Sequence, residues 1–162
     1  MGIDTGKVAG RRKLRFESVK EAIADAERVV AAEKAGSLRR LGNWSTGQVL
    51  GHLAYWTNCP YDGYPPGFGA PWFVRVILKM QKSKMLNGSL PAGVHIPKVP
   101  GGTLGTQEVT TDEGLRRYRQ AMERLQAAAP TRDNIIFGPM THEEWTKLNL
   151  RHAELHLSFL LP

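Results

Sequence analysis

The sequence predicts an all-α protein, a four-helix bundle interrupted by a long insertion. Two observations carry this. At four places a Ser or Thr is followed three residues later by Glu or Gln, each time at the head of an apolar periodicity of helical length. No strand-like alternation of comparable length competes with them. At 162 residues the chain fits a single domain, residues 1–162, with a core of ordinary size.

Ser18 with Glu21 opens the first helix, which runs towards Gly36 with Val19, Ile23, Ala26 and Val30 spaced for one face. Ser45 with Gln48 opens the second, and Trp44 before the cap can staple onto Val49. On that helix His52, Tyr55 and Trp56 share the apolar face of Val49. The insertion then spans residues 57–109, rich in Pro and Gly and too long for a plain connector. Its first part, Tyr61 to Gly69, offers aromatics on a chain forced into turns and suits a lid or pocket wall. Its middle, Ala70 to Leu86, reads as an extra amphipathic helix, with Trp72, Phe73, Val76, Ile77 and Met80 against Arg75, Lys79 and Lys82. That helix could pack on the bundle, on a second subunit or on an anionic membrane. The stretch from Pro91 to Pro100 is expected to run extended and to expose His95. Thr110 with Glu113 opens the third bundle helix, which turns Leu115, Tyr118, Met122 and Leu125 inward and stops before Pro130. Thr141 with Glu144 opens the fourth, whose stripe is Trp145, Leu148, Leu155 and Phe159.

His152 and His156 fall on that stripe, one turn apart. Positions four apart on a helix lie about 40° apart around the axis and about 6 Å along it, so both rings can converge on one ion. A buried imidazole needs partners for both ring nitrogens, which a cation or a pair of core hydrogen bonds can supply. His52, inward on another helix, makes three histidines, enough for zinc-type ligation with an open position. Such an ion would activate a thiol or a water as a nucleophile. Gln48, Tyr55, Tyr118, Asn149 and Glu154 are the neighbouring groups that could support the site or meet a substrate. His142, in the first turn of the fourth helix, is expected to face solvent. The segment His152-Ala-Glu-Leu-His156 is not the zincin HExxH, because Glu154 stands two positions after the first histidine. The glycine pairs Gly67/Gly69 and Gly101/Gly102 lack the strand and helix context of a phosphate loop.

The net charge is +7. The basic clusters, Lys7 to Arg15, Arg39 with Arg40, and Arg75 to Lys84, accompany no recognition helix, zinc finger or aromatic platform. The expectation is therefore a solvated basic surface that steers anionic small substrates, without specific nucleic-acid binding. The lone Cys59 forms no internal disulfide and suits a reducing compartment, where it would act as a small hydrophobe at a helix end. No apolar run reaches the length of a membrane span, and the charged amino terminus has no hydrophobic region behind it, so a cytoplasmic protein is expected.

A Trp-Ser that opens a helix containing Gly51-His52-Leu53, a long insertion and a last helix carrying His152-x-x-x-His156 resemble the DinB/YfiT-like superfamily. The branch that is most similar is the one called domain of unknown function 1569. That resemblance rests on Arg11-Arg12-Lys13-Leu14-Arg15-Phe16, Gly42-Asn43-Trp44-Ser45, Phe137-Gly138-Pro139-Met140-Thr141 with Trp145, and the run Arg151 to Leu160. It implies a DinB-like four-helix bundle, often a homodimer, in which His52, His152 and His156 hold a divalent ion, nickel or zinc, with iron or manganese as alternatives. It also implies a transferase or related activity that uses a low-molecular-weight thiol, such as bacillithiol or mycothiol. Two readings stand on the sequence. One is a metal-dependent thiol transferase or hydrolase acting on small electrophiles. The other is a non-catalytic bundle module whose histidine site is structural or empty and whose basic surface binds a partner.

Overall fold

The computed structural model describes residues 2–66, 69, 72–97 and 99–162. Six α-helices follow one another: α1 (Val19–Lys34), α2 (Thr46–Asp62), α3 (Trp72–Met80), α4 (Lys82–Asn87), α5 (Thr111–Ala127) and α6 (His142–Leu157). The four expected bundle helices are α1, α2, α5 and α6. Each starts at its expected cap: the oxygens of Ser18, Ser45, Thr110 and Thr141 accept from the amides of Glu21, Gln48, Glu113 and Glu144.

The reciprocal half of the capping box closes only in α2 and α6, where Gln48 and Glu144 accept from the N–H of Ser45 and Thr141. In α1, Glu21 reaches one residue further back, to the N–H of Glu17. In α5 the Glu113 carboxylate is held by Arg116 and Arg117 at 2.7 and 2.6 Å. A charge-assisted bond to guanidinium is stronger than a bond to a neutral amide, so two of the four boxes are half-boxes.

Helices α5 and α6 each pack against both α1 and α2, whereas α1 touches α2, and α5 touches α6, only briefly. The bundle therefore runs α1, α5, α2, α6 around its core, with sequence neighbours α1 and α2 on a diagonal. The closest pairing, α2 with α5, needs two glycines. A side chain on Gly114 would sit 2.8 Å from the Gly47 carbonyl oxygen and 3.1 Å from its Cα. Val29, Leu50, Leu53, Tyr118, Met122, Leu125 and Leu157 fill the interior. On the flank, Arg12 makes a bidentate pair with the buried Asp25 at 2.9 and 2.7 Å and donates to the Leu157 carbonyl at 3.0 Å, tying the amino-terminal segment to α1 and the end of α6.

The insertion departs from expectation in three places, the first being the stretch from Pro91 to Pro100, which does not run extended but bends at Ala92 and Gly93, with φ +75° at Gly93, and folds back so that the Ile96 amide donates to the Gly102 carbonyl at 2.6 Å. Helix α2 continues through Pro60 to Asp62, so residues 57–62 are helical; Pro60 stands in the last turn and forfeits only one donor there. The single helix expected from Ala70 to Leu86 is two. The chain turns at Gln81, α4 packs along α6, and Lys82 reaches Glu144 at 2.7 Å. Gly67 and Phe68 of the aromatic turn segment, and Ala70 at the expected helix start, lie outside the described residues.

One unforeseen element matters for the site. Two-residue strands β1 (Arg39–Arg40) and β2 (Leu160–Leu161) pair antiparallel, and the Leu41 amide donates to the Phe159 carbonyl at 2.9 Å. This ribbon draws Gly42, Asn43 and Trp44 onto the carboxy-terminal end of α6. Among the described residues no helix is long and apolar enough to cross a membrane.

Candidate metal centre

Packing of α6 on α2 brings His52, His152 and His156 together. One ring nitrogen from each lies within 4.8 Å of the others, and the ring centroids are 4.5–5.1 Å apart. The His52 and His152 Nε2 atoms are 3.3 Å apart. Two nitrogens each 2.0–2.1 Å from one tetrahedral ion would be about 3.3 Å apart, so this pair already stands at ligand spacing. His52 is 2% exposed, while His152 and His156 are half-buried.

The orientation of His52 follows from its other nitrogen. Its Nδ1–H donates to the Leu104 carbonyl at 2.9 Å, and because a carbonyl only accepts, the proton is on Nδ1 and Nε2 is left with a lone pair. That carbonyl is delivered by the turn at Gly105, whose φ is +74° and where a Cβ would meet the Tyr55 ring at 2.6 Å. Without an ion, the His152 Nε2–H must then donate to His52 Nε2. A cation held between the two rings would need both Nε2 lone pairs, and His152 would then carry its proton on Nδ1.

All three rings are held neutral. Burial lowers the pKa of His52 to about 4, the Leu104 bond opposing it only in part. Burial, and then the neighbouring imidazoles, push His152 and His156 well below the ordinary histidine range. Neutral imidazoles are the ligand form, so the cluster is ready for a cation at neutral pH.

Trp44 lies over the cluster, stacked on His156 (5.3 Å between centroids, 10° between planes) and tilted on His52 at 4.9 Å. Trp56 meets His52 edge-on at 6.3 Å. Beside the rings is a cavity of about 410 Å³ whose walls include Trp44, Trp56, Tyr64, Ile96, Phe137 and Leu148. Among its described lining residues there is no Lys, Arg, Asp or Glu. The expected steering of anionic substrates by the basic surface therefore has no counterpart inside the site. Burial raises the Tyr64 hydroxyl to about 12, so it remains an O–H donor in the wall.

The other residues singled out by sequence divide. Asn149 lines the cavity, but its amide is occupied: Oδ1 accepts from Thr57 at 2.7 Å and Nδ2 donates to the Trp145 carbonyl at 2.9 Å. Gln48 is spent on capping and on the Thr106 carbonyl. Tyr55 borders a separate cavity with Cys59, whose thiol burial keeps protonated. Tyr118 is buried in the core with its hydroxyl pKa raised. None of these three lines the histidine cavity. Glu154 accepts from the Phe16 amide at 2.6 Å and pairs with Arg151, a structural role. His95 is exposed, as expected, at the cavity wall, and the exposed His142 bonds to the Leu125 carbonyl.

The aromatic turn segment expected to form a pocket wall does so through Tyr64, whereas sequence reasoning missed the Leu104 carbonyl and the stacking role of Trp44. For the carbonyl there was no signal beyond the length of the insertion. Trp44 was visible, but only as a helix staple.

The chain matches the family described as protein of unknown function (DUF1569) over residues 8–162, and it belongs to that family. No curated protein and no solved structure matches it.

Proposed function

We propose that this family member is a metal-dependent enzyme in which His52, His152 and His156 hold one divalent ion, zinc or nickel in preference to iron or manganese. Its substrate would be an uncharged, apolar small electrophile, attacked by a low-molecular-weight thiol or by water. The observation that carries the reading is three neutral imidazoles from two helices, one nitrogen of each within 4.8 Å of the others and one pair at 3.3 Å, beside an apolar cavity. A structural zinc site is closed by four protein ligands. Among the described residues no fourth His, Cys, Asp or Glu joins the three, which favours an open position. The likeness to DinB/YfiT-like proteins supports the same ligand set.

The bound ion would supply Lewis-acid chemistry, lowering the pKa of a thiol or water so that a nucleophile forms at neutral pH. The chain's own groups do the rest. The Leu104 carbonyl fixes the His52 tautomer and aims Nε2 at the other two rings. Trp44 restrains His156 by stacking. The apolar walls exclude water and strengthen electrostatic interactions at the site. Tyr64 offers a proton-bearing hydroxyl in the wall. We read residues 1–162 as one domain whose insertion serves as part of that wall.

The test is a paired screen. Metal-stripped and zinc- or nickel-reloaded protein are offered uncharged epoxides, activated alkenes and esters, with and without low-molecular-weight thiols. Turnover is expected only in the reloaded protein and is lost in His152→Ala. Equal turnover in stripped and reloaded protein would refute the proposal.

A further inference from the structure

Helix α3 presents an apolar face that none of the described residues covers. Trp72 and Met80 are 77% and 80% exposed, and Phe73, Val76 and Ile77 are each more than half exposed. At 100° per residue these five side chains occupy an arc of about 140° around the helix. Val74 and Leu78, on the opposite side, are half-buried, so the helix is seated by one narrow edge and turns its wider apolar arc to solvent. Arg75 and Lys79 flank one edge of that arc, both exposed.

The charge of the surrounding chain points to what covers the face. Between Asp62 and Glu108 there is no carboxylate, while Arg75, Lys79, Lys82, Lys84 and Lys98 all fall in the interval. Lys82 is engaged with Glu144 of α6. Two copies packed antiparallel through this face about a two-fold axis would set Arg75 and Lys79 against their equivalents, with no acid in the segment to compensate. A surface that is apolar beneath and anionic above matches the face on both counts. A helix with aromatic and aliphatic residues on one side and cations at its margin binds in the plane of such an interface.

We infer that α3 is a membrane-surface anchor: Trp72, Phe73, Val76, Ile77 and Met80 insert among the acyl chains of an anionic phospholipid surface, and Arg75 and Lys79 pair with the headgroups. This inference does not depend on the histidine site.

The experiment is co-sedimentation of the full chain with sucrose-loaded vesicles of phosphatidylcholine alone or with about a third phosphatidylglycerol, at low salt and at about 0.5 M salt. Binding is expected to the anionic vesicles only and to fall roughly tenfold or more at high salt. Phe73→Glu with Ile77→Glu should abolish it, and Arg75→Gln with Lys79→Gln should remove the preference for phosphatidylglycerol. All four side chains are exposed, so far-UV circular dichroism and thermal unfolding should match wild type. Wild-type protein that stays in the supernatant with anionic vesicles would overturn the inference. So would a dimer in sedimentation equilibrium that Ile77→Glu disperses, together with no vesicle binding, because the face would then be a contact between copies.

Discussion

Acidification should destabilise the metal-free protein through His52. The unfolded chain carries this imidazole at an ordinary pKa of about 6.5, and the fold lowers it to about 4 by burying the ring at 2% exposure. The folded state thus holds the proton less tightly, and between those values the unfolded chain binds more protons. Stability from this group is complete above pH 6.5 and is lost as pH falls towards 4. One pKa unit corresponds to about 1.4 kcal/mol, so His52 alone accounts for a loss of about 2–3 kcal/mol between roughly pH 7.5 and 4.5. Urea unfolding of wild type and His52→Gln across that range reads the effect: groups away from the cluster contribute to both proteins, and loss of the His52 ring also relieves part of the downward push on His152 and His156. The stability gap between the two proteins should shift by at least that amount in favour of the variant as pH falls. A gap that stays constant with pH would refute the reasoning.

The same lowered values move proton competition for the metal. Histidines of ordinary pKa would begin to lose affinity below about pH 6.5, whereas here zinc affinity measured by competition should change little between roughly pH 8 and 5.5 and fall only below that. A tenfold loss by about pH 6 would mean that the rings titrate normally. Trp145 is 3% exposed on the same face of α6 and has nothing to offer a cation. Trp145→Ala should therefore cost about 3–5 kcal/mol in urea unfolding while the folded variant still takes up zinc, and loss of zinc without loss of stability would contradict that division of roles.

The bundle was legible because caps and periodicity are local signals. Ser45 with Gln48 and Thr141 with Glu144 start their helices as written. Glu21 and Glu113 found other partners, which a spacing rule cannot foresee because it does not show where the next amide or guanidinium will stand. The histidine triad was legible for the same reason: inward faces on two helices of one small bundle have little room to avoid each other. What surrounds it was not. The Leu104 carbonyl is backbone, delivered by an irregular turn, and carries no side-chain signature. The ribbon that lays Trp44 over His156 is only two residues long on each side, too short for an alternating pattern to register. Gln48 and Tyr55 shared a sequence neighbourhood with His52, and Tyr118 an inward helix face, yet their side chains were drawn to a cap, a second cavity and the core.

Zinc titration of the metal-free full chain, followed by calorimetry and native mass spectrometry, tests the three-histidine centre most directly. Wild type should bind one ion per chain, and His52→Ala, His152→Ala and His156→Ala should each weaken binding by about a hundredfold or more while remaining folded. Wild-type affinity and stoichiometry in any one of the three folded variants would contradict a shared centre.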